Sequence, residues 1–168
     1  MTAVIRQLVA GDEDGFRVLR LAGLRTDPEA FGSSLAEEEA WSTDRYRRTL
    51  ENNHVVGAFV QDRLVGTAGY YRLSGNTAHR GHVWGVVVDS AHRGQGIGTL
   101  LIEAVVRHAS GHLAQLHLGV GCYNAAAIRL YQNAGFEIYG TEPRSLFVNG
   151  RYIDEHLMVR FLDKAPGK

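Results

Sequence analysis

The sequence contains little cysteine and no long apolar run, and each absence excludes a class of protein. Cys122 is the one cysteine among 168 residues, which excludes an internal disulfide and a zinc site built from several cysteines. No apolar stretch approaches the roughly 20 residues that a membrane-spanning helix needs. The first residues, MTAVIRQLVAGDEDG, lack the basic start and the apolar run of a signal peptide. We therefore expect a cytoplasmic protein without a membrane partner.

An excess of charge of one sign is also absent. The 18 basic and 18 acidic side chains balance, so nothing global attracts the chain to nucleic acid. Hydrophobic residues make up 45% of the sequence, which is ordinary for a globular protein long enough to form a core. We predict a single domain over residues 1–168 with a core of about 4–162, and we leave a homodimer open.

The hydrophobic pattern of the N-terminal part predicts one strand and then helices. Val4 to Val9 is expected to form the strand, and Asp12 or Asp14 is expected to cap the helix that follows. The segment TDPEAFGSS, residues 26–34, breaks that helix with proline and glycine. A second helical stretch follows, in two pieces around Ser42 and Thr43.

From residue 54 onward the pattern favours strands. Residues 54–73 predict a hairpin that turns near Gln61-Asp62-Arg63, and Asn149-Gly150 predicts a second hairpin with a two-residue turn. Further strands are expected at 80–89, with an apolar run at 83–88, and at 113–121 and 136–140. The strand–helix–strand order in the middle implies one parallel pair. We therefore predict an α/β fold (a mixed α+β sheet) with a twisted, mostly antiparallel sheet of about seven strands and helices on both faces.

A basic, glycine-rich turn at residues 93–98 follows the strand at 83–88 and opens directly into an amphipathic helix. It is not a Walker loop, because no Gly-x-x-x-x-Gly-Lys-Ser/Thr string is present. It is not a dinucleotide motif, because Thr99 stands where Gly-x-Gly-x-x-Gly needs glycine and no acidic residue follows about 20 positions later. A nucleotide-dependent oxidoreductase is thereby rejected.

The remaining interpretation is an anion site of the form Arg-Gly-x-Gly-x-Gly. Backbone N–H groups at a helix start point toward one anion, aided by the helix dipole, and glycines let the ligand approach closely. A turn that merely links strand to helix is the alternative.

The string Arg93 to Gly98 matches the Arg/Gln-x-x-Gly-x-Gly/Ala signature of the GCN5-related N-acetyltransferase (GNAT) superfamily, which the sequence resembles from Val4 to Leu162. The block NAAAIRLYQNAGFE, residues 124–137, resembles the second motif of that superfamily. DPEAFGSS and NGRYIDEHLMV resemble the beginning and end of a bacterial branch. The resemblance implies the GNAT fold, with a parallel pair that splays apart, and an acyltransferase that uses acetyl-CoA as its acetyl donor.

The resemblance also implies where acetyl-CoA binds. Its pyrophosphate is expected at the glycine turn and its pantetheine arm along the strand before it. The Val86 N–H is expected to polarise the acetyl carbonyl. Gly85 fits a bulge where the strands open, with a close-packing site as an equal alternative. The residues expected to contact the cofactor are Val86, Val87, Val88, Arg93, Gly94, Gln95, Gly96, Ile97, Gly98, Thr99, Asn124, Ile128 and Tyr131.

Two side chains are expected to move protons. Tyr131 lies seven residues after Asn124 on one helical stripe and is the expected acid that protonates the leaving thiolate, with a core tyrosine as the alternative. His82 occupies the position at which the family commonly carries a glutamate, and it is the expected base. A surface or packing histidine and a water relay are the alternatives. His82, Trp84 and Val86 are expected to share one face of their strand.

The expected reaction is direct attack of a primary amine on the thioester in a ternary complex. The N-terminal helices, the 26–34 turn, Tyr70, Tyr71 and the Asn149-Gly150 hairpin are expected to wall the acceptor pocket. They do not select between a small-molecule amine and the N-terminus or a lysine of a protein. A non-catalytic acyl-CoA-binding sensor or interaction protein is the alternative function. No metal site is expected, because no carboxylate or cysteine cluster joins the histidines near the strand.

Overall fold

The computed structural model describes residues 2–163. Its helices and strands follow one another along the chain largely in the order that the sequence pattern predicts. The helices are α1 (Glu13–Thr26), α2 (Leu35–Glu39), α3 (Thr43–Asn52), α4 (Ile97–Ala109) and α5 (Ala125–Asn133). The strands are β1 (Val4–Gln7), β2 (His54–Val60), β3 (Arg63–Arg72), β4 (Arg80–Val88), β5 (Gln115–Gly121), β6 (Glu137–Val148) and β7 (Arg151–Phe161). Single 3₁₀ turns lie at Pro28–Ala30, Gly75–Thr77 and Ser90–His92.

The strands form one seven-stranded sheet in the order β1-β2-β3-β4-β5-β7-β6. β4 and β5 are parallel and every other neighbouring pair is antiparallel. The parallel pairing runs only from Arg80 and Gln115 to His82 and His117. Beyond His82 the two strands part, so the predicted mixed sheet with one splayed parallel pair is confirmed.

Two tight hairpins fix the register of neighbouring strands. Gln61 and Asp62 join β2 to β3 with φ of 49° and 63°, and Asn149 and Gly150 join β6 to β7 with φ of 50° and 77°. Two central residues with positive φ are what a type I′ turn requires, and this turn matches the twist of the strands it connects. Both hairpins predicted from the sequence are confirmed.

Of the N-terminal helices, α2 and α3 begin at a serine side-chain cap and α1 does not. Ser42 accepts a hydrogen bond from the Arg45 N–H at 3.1 Å and starts α3, which confirms that the second helical stretch breaks in two there. Asp12 occupies the cap position of α1, where its backbone carbonyl accepts a hydrogen bond from the Phe16 N–H at 3.0 Å but its side chain makes no cap bond. Its carboxylate instead accepts bonds from the Arg6 guanidinium and the Val9 N–H.

Two cores cover the two faces of the sheet. The larger one packs α4 and α5 on the sheet through buried side chains such as Leu101, Ile102 and Val105. The smaller one packs α1 and α3 on the opposite face through Phe16 and Tyr46. Helices therefore lie on both faces, as predicted, and the parted strands lie between the two layers.

The sequence pattern misplaced two element boundaries. Residues 136–140 and 146–148 were expected in different strands, but both belong to the single strand β6. β6 remains continuous because Arg144 takes φ of 53° and its N–H bonds to the Asp154 carboxylate at 2.8 Å, which absorbs a register shift against β7. The first strand ends at Gln7 rather than Val9.

The extent of the domain, residues 1–168, stays a prediction, since residues 1 and 164–168 lie outside the described part. In the described part, no helix has the length and apolarity needed to cross a membrane.

Candidate active site

A β-bulge marks the point where β4 turns away from regular pairing. Thr67 pairs with Val87 and Gly69 pairs with Trp84, so two residues of β4 stand opposite one residue of β3. Gly85 has φ of 64°, and its carbonyl accepts a hydrogen bond from the Thr67 hydroxyl at 2.9 Å. The bulge expected at Gly85 is therefore present.

The bulge changes which side chains of β4 share a face. Trp84 packs against Phe16 in the smaller core, with ring centroids 6.4 Å apart. Val86 packs against the larger core on the other face. The expectation that His82, Trp84 and Val86 share one face is wrong, because the extra residue at Gly85 shifts the alternation by one position.

The glycine turn presents free backbone to a cavity. Gly94 and Gly96 have φ of 75° and 79°, and a Cβ added to either would meet no atom within 4 Å. Leu100 is the first α4 residue whose N–H bonds back into the helix start, to the Gly96 carbonyl at 3.2 Å. The N–H groups of the preceding helical turn are thus available to an anion. This open cradle fits a diphosphate.

Gly98 serves a different purpose in the same turn. Its φ is not in the left-handed region, and a Cβ there would lie 3.2 Å from Leu130 Cδ2. Close packing of α4 against α5 therefore favours glycine at this position. The close approach that the sequence suggested for all three glycines of the motif applies to Gly94 and Gly96.

A cavity of about 740 Å³ connects the glycine turn, the parted strands and the segment after α1. Among the residues expected to contact the cofactor, those that line it are Val86, Val87, Val88, Arg93, Gly94, Gly96, Ile97, Gly98, Thr99, Asn124 and Tyr131. Gln95 is exposed outside the lining. Ile128 packs against the larger core, and its neighbours Ala127 and Leu130 face the cavity instead.

Asn124 and Tyr131 both reach the cavity from α5. The Asn124 side chain accepts a hydrogen bond from the Ala127 N–H at 3.1 Å, so it caps the helix while lining the cavity. Tyr131 is only 8% exposed, and its ring lies edge-on to Phe136 at 6.0 Å. Burial raises the pKa of Tyr131 well above its ordinary value, so its hydroxyl carries a proton at neutral pH.

His82 lies at the apex of the opening, in the last paired position of β4 and β5. Its ring packs 5.4 Å from that of Tyr71, outside the residues that line the cavity. Burial first, and then the charge of Arg80, lower the pKa of His82. The imidazole is therefore neutral at physiological pH and is able to accept a proton, but it does not border the cavity that Tyr131 and Val86 share.

Further residues outside the expected cofactor set line the cavity. Asp27 and Phe31 come from the 26–34 turn, which was expected to wall the acceptor pocket. Asp27 forms an ion pair with Arg93 at 2.6 Å, and the Arg93 Nε donates to the Val88 carbonyl at 3.2 Å. On the far side, the lining includes Gly119, Gly121, Tyr123 and Glu155. The alternating glycines of LGVG, residues 118–121, could have indicated this wall, since they leave one face of β5 without side chains.

The walls expected for the acceptor are only partly correct. Tyr70 is buried, and its hydroxyl lies 2.7 Å from His108 Nδ1, so it does not line the cavity. The Tyr71 ring packs against that of His82 at a tilt of 37°, and Tyr71 does not line the cavity either. The 26–34 turn does border the cavity, whereas Asn149 lines a second groove of about 840 Å³ between this turn and residues 145–149. Phe31 borders both spaces.

Neither a reactive thiol nor a metal centre accompanies this cavity in the described residues. Burial, with the nearby charges of Asp154 and Glu155, raises the pKa of the Cys122 thiol, so it is protonated and unreactive at neutral pH. Within residues 2–163, no group of three or more histidine, cysteine or acidic side chains is arranged to hold a metal ion.

Known proteins resemble this chain in sequence. A model of the acetyltransferase (GNAT) family matches residues 18–136. The N-alpha-acetyltransferase RimI of Mycobacterium tuberculosis is 34% identical over 115 residues, covering 67% of this chain and 72% of that protein. The L-amino acid N-acetyltransferase AaaT of Escherichia coli is 34% identical over 162 residues, covering 85% of this chain and 96% of that protein. Another curated relative is longer, and this chain spans 34% of its length.

A solved structure shows the same fold. The structure of yncA from Salmonella typhimurium, with its cofactor acetyl-CoA, has a TM-score of 0.85 and 21% sequence identity, covering 100% of this chain and 98% of that chain. The family match covers most of the chain and agrees with the open glycine cradle. The protein is thus an acyltransferase with acetyl-CoA as its acetyl donor, and the chain belongs to the acetyltransferase (GNAT) family.

Proposed function

We propose that this acetyltransferase transfers the acetyl group from acetyl-CoA to a primary amine by direct attack in a ternary complex. One observation carries the proposal. The glycine turn, the bulged strand β4, Tyr131 and the segment after α1 all border a single cavity at the place where β4 and β5 part. A single cavity of about 740 Å³ has room to hold donor and acceptor together, and holding them together supplies most of the entropic advantage of such a reaction.

The backbone of the turn and of β4 would hold the donor. The N–H groups at the start of α4, with the Arg93 guanidinium, would bind the diphosphate. The backbone groups of Val86 and Val88 would form hydrogen bonds with the pantetheine arm along the strand. The Val86 N–H would polarise the acetyl carbonyl, because the bulge at Gly85 interrupts regular pairing at this point.

Tyr131 would protonate the leaving thiolate. It borders the cavity and keeps its proton at neutral pH because burial raises its pKa. A thiolate forming in the same cavity is also desolvated, which raises the pKa of the thiol toward that of the phenol. His82 stays a candidate base through its neutral imidazole, and a water relay stays the alternative.

The class of acceptor is part of the proposal. The relatives named above act on different amines, an α-amino group in one case and L-amino acids in the other. We propose that the acceptor is either a small-molecule amine or an amino group of a protein. A cytoplasmic location and assembly as a homodimer are retained as proposals from the sequence, the first supported by a lone free cysteine.

The test separates an enzyme from a non-catalytic sensor. Acetyl-CoA should raise the melting temperature of the protein, whereas NADH should not. Release of free thiol from acetyl-CoA is then followed with free L-amino acids, spermidine and a peptide with a free N-terminus. Stabilisation with thiol release above the amine-free rate supports the enzyme. Stabilisation without thiol release for any amine supports the sensor, and no stabilisation contradicts both.

A further inference from the structure

Glu155 places a carboxylate in the cavity from the far arm of the parted strands. It lies on β7, pairs with Gly121 of β5, and borders the same cavity as Val86 and Tyr131. A Cβ added to Gly119 would lie 3.5 Å from the Cδ, Oε1 and Oε2 atoms of Glu155. Glycine at position 119 therefore leaves one side of this carboxylate uncovered toward the cavity.

One oxygen of this carboxylate accepts a hydrogen bond within the protein, and the other has no donor in the described residues. The Ser145 hydroxyl donates a hydrogen bond to Glu155 Oε1. Within residues 2–163, no donor is recorded on Oε2 and no basic side chain forms an ion pair with Glu155. A carboxylate fixed at one oxygen and free at the other is oriented to accept from a ligand.

The other carboxylates near this end of the cavity are already paired. Asp27 contacts the Arg93 guanidinium at 2.6 Å, and Glu29 faces Arg151 at 3.6 Å. Burial and then the charges of Glu29, Asp27 and Glu155 raise the pKa of Tyr123, so all three carboxylates act on the space around its hydroxyl. The charge of Arg151, which pairs with Glu29, acts in the opposite direction. Within residues 2–163 no basic side chain pairs with Glu155 itself, so its negative charge favours a cationic ligand.

We propose that Glu155 is a catalytic residue that binds the protonated amine of the acceptor and takes up its proton. This role rests on the proposed function, because it assigns the acceptor side of that reaction. It adds a base on β7 to the one suggested at His82 on β4, and only Glu155 of the two borders the cavity.

Desolvation decides whether a carboxylate can perform this step. In water the ordinary pKa of an ammonium, about 10.4, lies roughly 6 units above that of a carboxyl, about 4.3, which opposes proton transfer between them. Acetyl-CoA bound in the cavity would displace water, and loss of water disfavours the charged forms of both groups. Proton transfer from the ammonium to the carboxylate removes both charges, so donor binding favours it.

The protons and electrons of the full step balance. The ammonium gives one proton to Glu155, and the nitrogen lone pair then forms the bond to the acetyl carbon. The carbon–sulfur pair leaves with sulfur, which takes the Tyr131 proton. The nitrogen gives its second proton back to the tyrosinate, and Glu155 releases its proton to solvent. The products are one amide, one thiol and one proton.

The test compares Glu155→Gln with Glu142→Gln. Glu142 also lies near Ser145, at 3.3 Å, but it is exposed and outside the cavity lining. With the panel amine that wild type uses best, Glu155→Gln should lower kcat/KM by about 10²-fold or more and flatten the acidic limb of the pH–rate profile. Glu142→Gln should match wild type. Acetyl-CoA should raise the melting temperature of all three proteins equally.

Two further measurements support the test, one that does not depend on turnover and one that uses a different variant. In the presence of CoA, the same amine should raise the melting temperature of wild type and not of Glu155→Gln. Gly119→Ala places a methyl in ordinary contact with the carboxylate, so the fold is retained. It should raise KM for the amine several-fold, and this variant decides the matter if Glu155→Gln does not fold.

The outcomes distinguish the two proposals. Thiol release by no amine in wild type overturns the proposed function and this role with it. An active wild type with Glu155→Gln within twofold of its rate, and with an unchanged acidic limb, overturns the role of Glu155 alone. If His82→Ala then loses that limb, the base is His82.

Discussion

The Asp27 carboxylate lies 2.6 Å from Nη2 of Arg93 and joins the 3₁₀ turn after α1 to the glycine turn before α4. Both side chains are about half exposed. The ion pair therefore links the segment after α1, which borders the cavity, to the turn proposed to bind the diphosphate. The Arg93 guanidinium is already shared with a carboxylate before any phosphate reaches it.

Removing the charge of Asp27 should tighten the binding of acetyl-CoA. In Asp27→Asn, the diphosphate no longer competes with a carboxylate for Arg93. Exposed ion pairs contribute about 0.2–1 kcal/mol, so the gain should not exceed about fivefold in Kd. Calorimetric titration at low and high salt measures it. Asp44→Asn is the control, because Asp44 pairs with Arg47 and Arg48 on α3. Weaker binding by Asp27→Asn would mean that Asp27 positions Arg93 instead.

Gly96→Ala should weaken acetyl-CoA binding far more than it weakens the fold. A methyl at this position meets no protein atom but occupies the open cradle, and φ of 79° adds left-handed strain of about 1 kcal/mol. We expect a Kd at least tenfold higher and a melting temperature about 2–4 °C lower. Gly75→Ala is the matched control, with φ of 60° and equally open space, outside the cavity lining. Equal Kd values for both variants would contradict the proposal that the turn binds the diphosphate.

Tyr131→Phe should lower kcat by about 10²-fold or more, since general acid catalysis is typically of that size. The ring and its edge contact with Phe136 are kept, so the Kd of acetyl-CoA should change less than about threefold. Steady-state kinetics and calorimetric titration measure the two quantities. Tyr123→Phe is the control, because Tyr123 borders the same cavity. The reverse pattern would assign the acid role to Tyr123.

The local sequence signals that matched the fold were those with a direct backbone cause. Asn149-Gly150 and Gln61-Asp62 take the positive φ of a type I′ turn, and Ser42 caps α3 with its hydroxyl. The glycine turn at residues 93–98 could be predicted for the same reason. Its conformation and its position before an amphipathic helix depend only on residues that are neighbours in sequence. These features depend on only a few positions each.

The features that could not be placed depend on contacts between distant segments. A bulge was one of two equal interpretations of Gly85, and its effect on the faces of Trp84 and Val86 depends on pairing with β3. Tyr70 resembled an active-site residue until the fold placed its hydroxyl against His108, 38 positions away. Glu155 reaches the cavity only because β7 pairs beside β5 and Gly119 leaves space over it.

A cluster of histidines outside the cavity lining should make stability depend on pH. The His54 ring stacks on His108 with centroids 3.5 Å apart, and His112 lies 5.0 Å from His108. The Tyr70 hydroxyl holds His108 Nδ1. Burial first, and then the charges of His108 and His112, lower the pKa of His54 from 6.5 to about 4. A charged His54 is therefore poorly tolerated in the folded state.

The sign of this dependence follows from proton uptake. Between about pH 6.5 and pH 4, the unfolded chain binds a proton at His54 that the folded chain does not, so the free energy of unfolding falls as pH falls through this range. Because His54 is only partly buried, we expect about 1 kcal/mol between pH 7.5 and pH 5, after allowing for solvent screening. His54→Phe keeps an aromatic ring against His108 and removes the titrating group. Urea unfolding at the two pH values should show a smaller loss of stability for this variant than for wild type. An equal loss would assign the pH dependence to another group. His117 is one such group, because burial also lowers its pKa to about 4.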